Sequence, residues 1–385
     1  MTTYVLQRLG QGLLTLWVIA TLSFSLMRLA PGGPFDQEKP LAPQVQANLS
    51  RTYGLGRDVL VPADLQGAVV QEVLVKAGQE VLAGSPLLQL QGPAGKPLTW
   101  LAPTDLTVVA VMTAAGQKLS AAPALVRRTA VWEQYWTSLQ SWARLDLGVT
   151  YASAGTKTVM SVLAASFPVS LELGLYALVL ALLLGVGVGL VAGMYRNTWL
   201  DHLSMAGALL AVSLSSLVLG PLLVLVFGVW LQWLPFGGWE AFAFANGQWQ
   251  VKILPTATLA LVYAAWFARL TRAGMVEVAS QPWIRTARAK GLPELHILLR
   301  HALKPAILPA LSFLGPALAG IVTGSVVVER VFAIPGLGEH FVTAAVNRDY
   351  PLVMGTVLLY SALLIVANLL VDLTYALVDP RVRVT

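Results

Sequence analysis

The chain has 385 residues, 56% of them hydrophobic and 11% charged, with a net charge of +6 and no cysteine. Soluble domains carry about a quarter charged residues, so this composition argues against a single water-soluble globule and for lipid as the main solvent. Without thiols there are no disulfides or thiolate metal sites, and the excess positive charge forms no aromatic-interleaved basic patch of the kind that binds nucleic acid.

Six apolar runs, at about 9–30, 168–194, 203–233, 253–272, 305–328 and 353–378, are long enough to cross about 30 Å of hydrocarbon. A lone span satisfies its own backbone in lipid only as a helix, so all six are expected to be helical. The first run exceeds the core of a typical signal peptide and no small-x-small cleavage site follows it, so it is read as a retained span.

Between the first and second spans the pattern changes. The stretch VPADLQGAVVQEVLVKAGQEVLAGSPLLQL from Val61 is echoed by APTDLTVVAVMTAAGQKLSAAPALV from Ala102. Each half offers Pro-x-Asp, an alternating apolar run (Ala68 to Val75; Thr107 to Met112) and a Gly-Gln turn (Gly78, Gln79; Gly116, Gln117). Alternation of period two with frequent turns predicts strands. GPAGKP, Gly92 to Pro97, is too short between its glycines for a nucleotide-binding P-loop and has proline where the magnesium-binding hydroxyl belongs. An amphipathic segment, Trp132 to Leu147, then leads to the second span.

Within the spans, GVGVG at Gly185 to Gly189 is read as a site of close helix packing. Glu172, Asn368 and Asp372 are polar groups in or near the bilayer, either lining a pathway or tying helices together. The histidines, His202, His296, His301 and His340, are scattered over three loops and predict no metal site.

The segment joining the fourth and fifth spans carries Arg269, Arg272, Arg285, Arg288, Lys290, Arg300 and Lys304 against Glu277 and Glu294, whereas the 233–252 loop offers only Lys252. The positive-inside rule places the first in the cytoplasm and the second outside, with both termini inside, in keeping with Arg8, Arg381 and Arg383. In that basic loop, Ser280 or Gln281 can cap a helix with Pro282 in its first turn, and Gly291 stands where it would end, giving a helix over about 282–290. A second helix starts at Pro293 and runs to about Leu303, before Pro305 and Pro309 open the fifth span. By its physics alone this loop could also be an amphipathic segment resting on anionic headgroups.

The loop RTARAKGL resembles the EAA loop of type I ABC importer permeases, in the form found in the dipeptide, oligopeptide and nickel permease subfamily. Arg285, Thr286 and Ala287 occupy the Glu-Ala-Ala places, Gly291 the loop glycine, and Leu308 and Pro309 close the pattern. Arginine for glutamate and the longer gap before the closing proline depart from the general motif but fit the subfamily. LQRLGQGLLTLWVIATLSFSLMRLAPGGPF resembles the first span and its Ala-Pro-Gly exit, and VVVERVFAIPGLGEHFVTAAVNRDYPLVMGTVLLYSALLIVANLLVDLTYALVDPRVR resembles the C-terminal end of such permeases. DLGVTY followed by FPVSLELGL fits as well.

The resemblance implies an all-α polytopic protein of six transmembrane helices in a bacterial or archaeal cytoplasmic membrane, with both termini cytoplasmic. It would be a non-catalytic transport subunit, without cofactor, for peptides or similar small solutes. Its partners would be membrane lipid, a second permease subunit, an extracytoplasmic substrate-binding protein and two cytoplasmic ATPase subunits gripping the 282–290 helix, with no nucleic acid. Pro335, Gly336, Leu337 and Gly338 make a tight turn into a short helix in an outer loop, the candidate contact for the binding protein.

The segment 56–128 stands outside that family pattern and reads as an insertion. Its two halves resemble the small all-β barrel-sandwich hybrid of biotinyl and lipoyl domains, in which a lysine between the halves bears the cofactor. Lys96 is the corresponding residue, but it is one position out of register, lacks flanking methionines, precedes Pro97 and faces away from a cytosolic ligase, so a structural or docking role is expected. The resulting division is 1–55, first span and outer segment; 56–128, β insertion; 129–167, outer amphipathic linker; 168–378, transmembrane core; 379–385, cytoplasmic tail. The alternative is a secondary transporter or channel, which should show inverted repeats or broken helices that the sequence does not reveal. An intramembrane enzyme would need a catalytic constellation for which the spans hold too few ionisable residues.

Overall fold

The computed structural model describes residues 2–29, 48, 50–51, 55–92, 96–120, 122–153, 156–240, 242 and 248–378. The Ala-Pro-Gly exit of the first span, the middle of the Gly92–Pro97 stretch and the 379–385 tail with Arg381 and Arg383 lie outside these residues. The chain divides into two compact units, one of Met1–Ser23, Val159–Asn347 and Leu352–Thr385, the other of Phe24–Thr158 and Arg348–Pro351.

The first unit is helical. Among the described residues, five helices are long and apolar enough to cross a membrane, and a bent pair makes a sixth if counted as one span. Helix α1 (Thr2–Leu29) presents Leu6, Leu13, Leu14, Leu22 and Leu26 outward, the surface expected where lipid is the solvent. In order along the chain, α2 (Val131–Ala143) belongs to the second unit and α3 (Val159–Met194) returns to the first. Helix α3 begins nine residues before the expected start at 168, with Pro168 inside it. The turns before the proline are helical as well, and its missing N–H removes only one rung of the ladder.

The run 203–233 is not one helix. Helix α4 (Trp199–Ser213) meets α5 (Ser216–Leu223) at a 108° bend, and α5 continues as a π-helical stretch, Val224–Trp230. Leu214 is extended and Ser215 restarts the helix as a cap, its Oγ accepting the Leu217 N–H at 3.3 Å. Hydropathy registers composition and not such a corner, so the expectation of unbroken spans is corrected here.

Helix α6 (Ile253–Ala279) pairs with α3 along most of its length. Ala264, Phe267, Ala268, Thr271 and Met275 of α6 press against Gly185, Gly189 and Gly193 of α3, while Gly187 faces open space. Then follow α7 (Pro282–Ala289), α8 (Glu294–His296), a π-helical turn (Ile297–Ala302), α9 (Leu303–Ala306), α10 (Leu308–Ser312) and α11 (Leu314–Val331). The run expected as one span at 305–328 is thus interrupted at Ile307 and Phe313, because Pro305, Pro309 and Pro316 withhold three backbone donors. Helices α12 (Leu337–Val346) and α13 (Tyr350–Val378) complete the chain. Gly12 of α1 packs against Ile365 of α13, and Arg8 forms an ion pair with Asp372 at 3.0 Å.

Among the described residues the second unit holds seven strands: β1 (Gly56–Leu60), β2 (Val69–Val73), β3 (Glu80–Val81), β4 (Pro86–Gln91), β5 (Pro97–Leu101), β6 (Leu106–Val111) and β7 (Pro123–Arg128). They form one sheet in the order β1-β7-β6-β3 and another in the order β2-β4-β5, without closing a barrel. Their apolar sides build a core of Val70, Leu87, Leu88, Leu90, Val108 and Leu125 among others. The internal repeat appears as reciprocal bonding: Gly78 N–H donates to Val108 O (2.8 Å) and Gly116 N–H to Val70 O (2.7 Å). Likewise Val108 N–H donates to Gln79 O and Val70 N–H to Gln117 O, both at 2.9 Å. Each turn is closed by its own glutamine, Gln79 Oε1 accepting from Lys76 N–H and Gln117 Oε1 from Ala114 N–H. Even the irregularities repeat, with register shifts between Val70 and Glu72 and between Val108 and Ala110.

Candidate functional site

The basic loop folds as a short helix sealed at both ends. Pro282 stands in the first turn of α7, where its missing N–H costs nothing, and Gln281 takes the N-cap position without a side-chain bond. Ser280 instead donates its hydroxyl to Glu277 O, at the end of α6. At the other end Gly291, at φ 74°, donates its N–H to Arg288 O (2.9 Å), and Leu292 N–H reaches Ala287 O (3.4 Å). This pair of bonds is a Schellman closure, which requires the left-handed backbone that glycine adopts freely.

Spacing then decides which residues face which way. Ile284 and Ala287, three apart, are buried in an apolar cluster with Leu190 of α3, Met275 and Val278 of α6, and Ile297, Leu298, Ala302 and Ala306 beyond the loop. Trp283, Arg285, Thr286, Arg288 and Lys290 are exposed. Of the four residues expected to couple, Arg285, Thr286 and Gly291 are thus on the surface, while Ala287 is 6% exposed and holds the helix down. Arg288 grips Glu294 by two bonds, Nε to Oε1 at 2.8 Å and Nη2 to Oε2 at 3.3 Å, bracing α7 against α8.

The platform under this helix is stiff. Gly274 of α6 lies against the Ala306 backbone, with no room for a side chain. Two residues earlier, Arg272 makes a bidentate ion pair with the buried Asp201 of α4, at 2.5 and 2.8 Å, and Asn197 N–H donates to the same carboxylate at 2.9 Å. The sequence reading counted Arg272 only as a topological charge and passed over Asp201. A carboxylate beginning an apolar run was the available signal, since such a group in lipid needs a partner.

The remaining candidates sit elsewhere. Glu172, at 0% side-chain exposure, accepts from Lys252 Nζ (2.7 Å), Tyr176 Oη (2.8 Å) and Phe242 N–H (2.8 Å). Lys252 had been noted only as a loop charge. Asp372 pairs with Arg8, and Asn368 is exposed with its Oδ1 beside Gly315. In the 335–338 turn, Pro335 is exposed but Gly336, Leu337 and Gly338 are buried. Gly338 N–H donates to Glu329 Oε2 (2.6 Å), Leu337 N–H to Ser170 Oγ (2.8 Å), and Ser170 to Glu329 Oε1 (2.7 Å). The turn therefore fastens α12 to α3 and α11. Lys96 lies at the β4–β5 hairpin, its carbonyl accepting the Gly92 N–H at 3.0 Å. Among the described residues no group of three or more His, Asp or Glu could hold a metal; His296 and His301 stand 5.9 Å apart, ring to ring.

Residues 185–384 match the model of the family described as binding-protein-dependent transport system inner membrane component. The oligopeptide transport system permease protein OppB of Salmonella typhimurium is 37% identical over 383 residues, covering 100% of both chains. The dipeptide transport system permease protein DppB of Bacillus subtilis is 34% identical, covering 100% of this chain and 98% of its own. The glutathione transport system permease protein GsiC of Escherichia coli O6:H1 is 38% identical over 253 residues, 66% of this chain and 80% of its own.

Proposed function

The chain belongs to the family of binding-protein-dependent transport system inner membrane components, as a multi-pass permease subunit of an ABC importer, and on that premise we propose that it forms half of a pathway for peptides or similar small solutes. The substrate class follows the relatives, whose names specify oligopeptide, dipeptide and glutathione transport. Energy is supplied by two ATPase subunits that seat α7 in their grooves, and a second permease and an extracytoplasmic binding protein complete the assembly.

One observation carries the coupling role: α7 is a closed, braced helix whose polar side is exposed and whose apolar side is locked to α3 and α6. A push on Arg285 and Thr286 is delivered through Ile284 and Ala287 to two spans at once, which converts ATPase closure into a rigid-body tilt. In this reading the loop lies in the cytoplasm and both termini with it. Pairing of Arg8 near the start of α1 with Asp372 near the end of α13 supports placing the termini on one side. Six spans result when α4 and α5 count as one. That broken element is the feature a secondary transporter would share, and the whole-length similarity to importer permeases favours the ABC reading over it.

Glu172, Asn368 and Asp372 serve packing in this reading, because the carboxylates spend their charge on Lys252 and Arg8. The binding protein meets Pro335 and the exposed side of α12, which the buried Gly336, Leu337 and Gly338 hold in place. The two-sheet unit is of the barrel-sandwich type, a reading supported by its reciprocal bonds and its central hairpin, and it projects outside as a docking module without a covalent group on Lys96.

The test is purification of the chain from its native membrane in mild detergent, with mass spectrometry of the subunits that accompany it and ATP hydrolysis and peptide uptake measured for wild type and Gly291→Val. Two ATPase subunits, a second permease, and loss of uptake in the variant are expected. Recovery of the chain alone, or peptide uptake that does not depend on ATP, would sink the reading.

A further inference from the structure

Helix α2 carries a half-used apolar face. Positions 131, 132, 135, 136, 139 and 142 fall on one side of a helix of 3.6 residues per turn, and they are Val131, Trp132, Tyr135, Trp136, Leu139 and Trp142. Two of these rings are already seated: Tyr135 and Trp142 meet the Phe24 ring edge-on, with centroids 5.5 and 6.3 Å away. Trp132 and Trp136, one turn apart, remain 66% and 54% exposed. The opposite side of the helix is held by the strands' neighbourhood, where Glu133 pairs with Arg57 of β1 at 3.3 Å and the Gln134 amide donates to Thr129 O at 2.7 Å.

Phe24 fixes the depth at which this helix sits. It belongs to α1, about 7 Å along the axis before the last residue, Leu29. The span window Leu6–Leu29 ends at the last residue of the helix, so Phe24 and Arg28 stand in the last turns of that span. A second span marks the same level: the Arg28 guanidinium lies 5.3 Å from the Phe24 ring and 5.4 Å from that of Tyr350, the first residue of the last span window, Tyr350–Asp372. Two spans therefore change from hydrocarbon to water around one cation, beside the two rings of α2. Exposed indoles at this level have one natural solvent, the interfacial zone where an apolar ring and a polar N–H are both satisfied.

We propose that α2 is an interfacial helix whose Trp132 and Trp136 enter the headgroup zone of the leaflet where the first span ends, seating the strand module against the membrane surface. The partner is lipid, because Tyr135 and Trp142 of the same helix meet Phe24 in the last turns of the first span, where Leu26 and Leu29 are exposed.

The chain has no cysteine, so single labels are unambiguous. Trp132→Cys and Trp136→Cys, with Thr137→Cys on the other side of α2 and Glu72→Cys on β2 as controls, are labelled with bimane. Each full chain is reconstituted in phosphatidylethanolamine and phosphatidylglycerol vesicles. Headgroup-borne nitroxide lipid is expected to quench the labels at 132 and 136 about threefold more than the controls, with aqueous iodide ranking them in reverse, as aromatic-belt positions require. Equal quenching at all four positions would overturn the proposal. So would labels at 132 and 136 shielded from both quenchers, which would mean that a second protein surface covers the face.

Discussion

In the α3–α6 pair, a methyl on Gly185, Gly189 or Gly193 would stand 2.5 to 2.6 Å from an atom of the opposing helix, whereas Gly78 and Gly116 in the strand module face open space at φ 85° and 86°. The first group is demanded by a neighbour, the second by the backbone itself. Burial of charge differs in the same way. Among the described residues the strand module buries no charged side chain, while the helical unit buries Glu172, Asp201, Lys252 and Glu329. A membrane body gains little from moving apolar side chains out of lipid, so contact distance and paired charge carry its specificity; the strand module is organised by water exclusion and turn geometry.

The strongest way to break that contrast is to orphan a charge. Lys252→Met leaves the fully buried Glu172 with Tyr176 and Phe242 as its donors among the described residues, and is expected to cost about 3–5 kcal/mol, read as a lower midpoint of thermal unfolding in detergent. Adding Glu172→Gln to Lys252→Met should recover much of the loss, since a neutral amide tolerates the site. If the double variant is as unstable as the single, the pair is not what secures the region.

Next in size is the close helix contact. Gly189→Ala sets a methyl 2.5 Å from Ala268 O and 2.7 Å from Thr271 Cβ, and overpacking of this kind costs about 1–3 kcal/mol. Gly187→Ala, two residues away with nothing within 4 Å, is the internal control and should be neutral or slightly stabilising. Equal unfolding midpoints for the two variants would remove the distinction between the faces of α3.

In the strand module the ranking depends on side-chain type and not on size. Gly116→Val places a β-branched residue at positive φ, at a cost of roughly 1–2 kcal/mol, whereas Gly116→Asn keeps much of that stability because asparagine visits the left-handed region. Hydrogen–deuterium exchange of the β6–β7 amides in rising denaturant would separate them. Matching losses for Val and Asn would show that crowding, and not backbone conformation, selects the glycine.

What could be read from the sequence follows the same division. Period-two alternation and the two Gly-Gln turns are local signals, so the strands at Val69–Val73 and Leu106–Val111 were legible, as was the proline-to-glycine frame of α7. The pairs Asp201–Arg272 and Glu172–Lys252 join residues far apart in the chain, and one sequence gives no means of matching them. The corner at Leu214 was hidden because both arms are equally apolar. Ala287 looked like its neighbours in the motif until the helix phase, set by where α7 begins, turned it inward.

Gly291 tests the contrast from within the helical unit, for it is a glycine of the strand-module kind: φ is 74° and no atom lies within 4 Å of a built Cβ. Gly291→Asn should therefore change stability by less than about 1 kcal/mol, the smallest effect considered, since the Schellman bonds to Arg288 and Ala287 survive in a left-handed asparagine. Gly291→Val keeps the same open space but not the conformation, so the end of α7 unwinds and Leu292 leaves its contact with the apolar cluster beneath. The body of the protein is not anchored through this residue, and its unfolding midpoint should move little in either variant. Coupling should separate the two: peptide uptake per ATP hydrolysed holds near wild type for Asn and collapses for Val. If both variants transport equally well, the helix end has no part in transmitting the ATPase stroke, and the exposed Arg285 and Thr286 must work without a rigid mount.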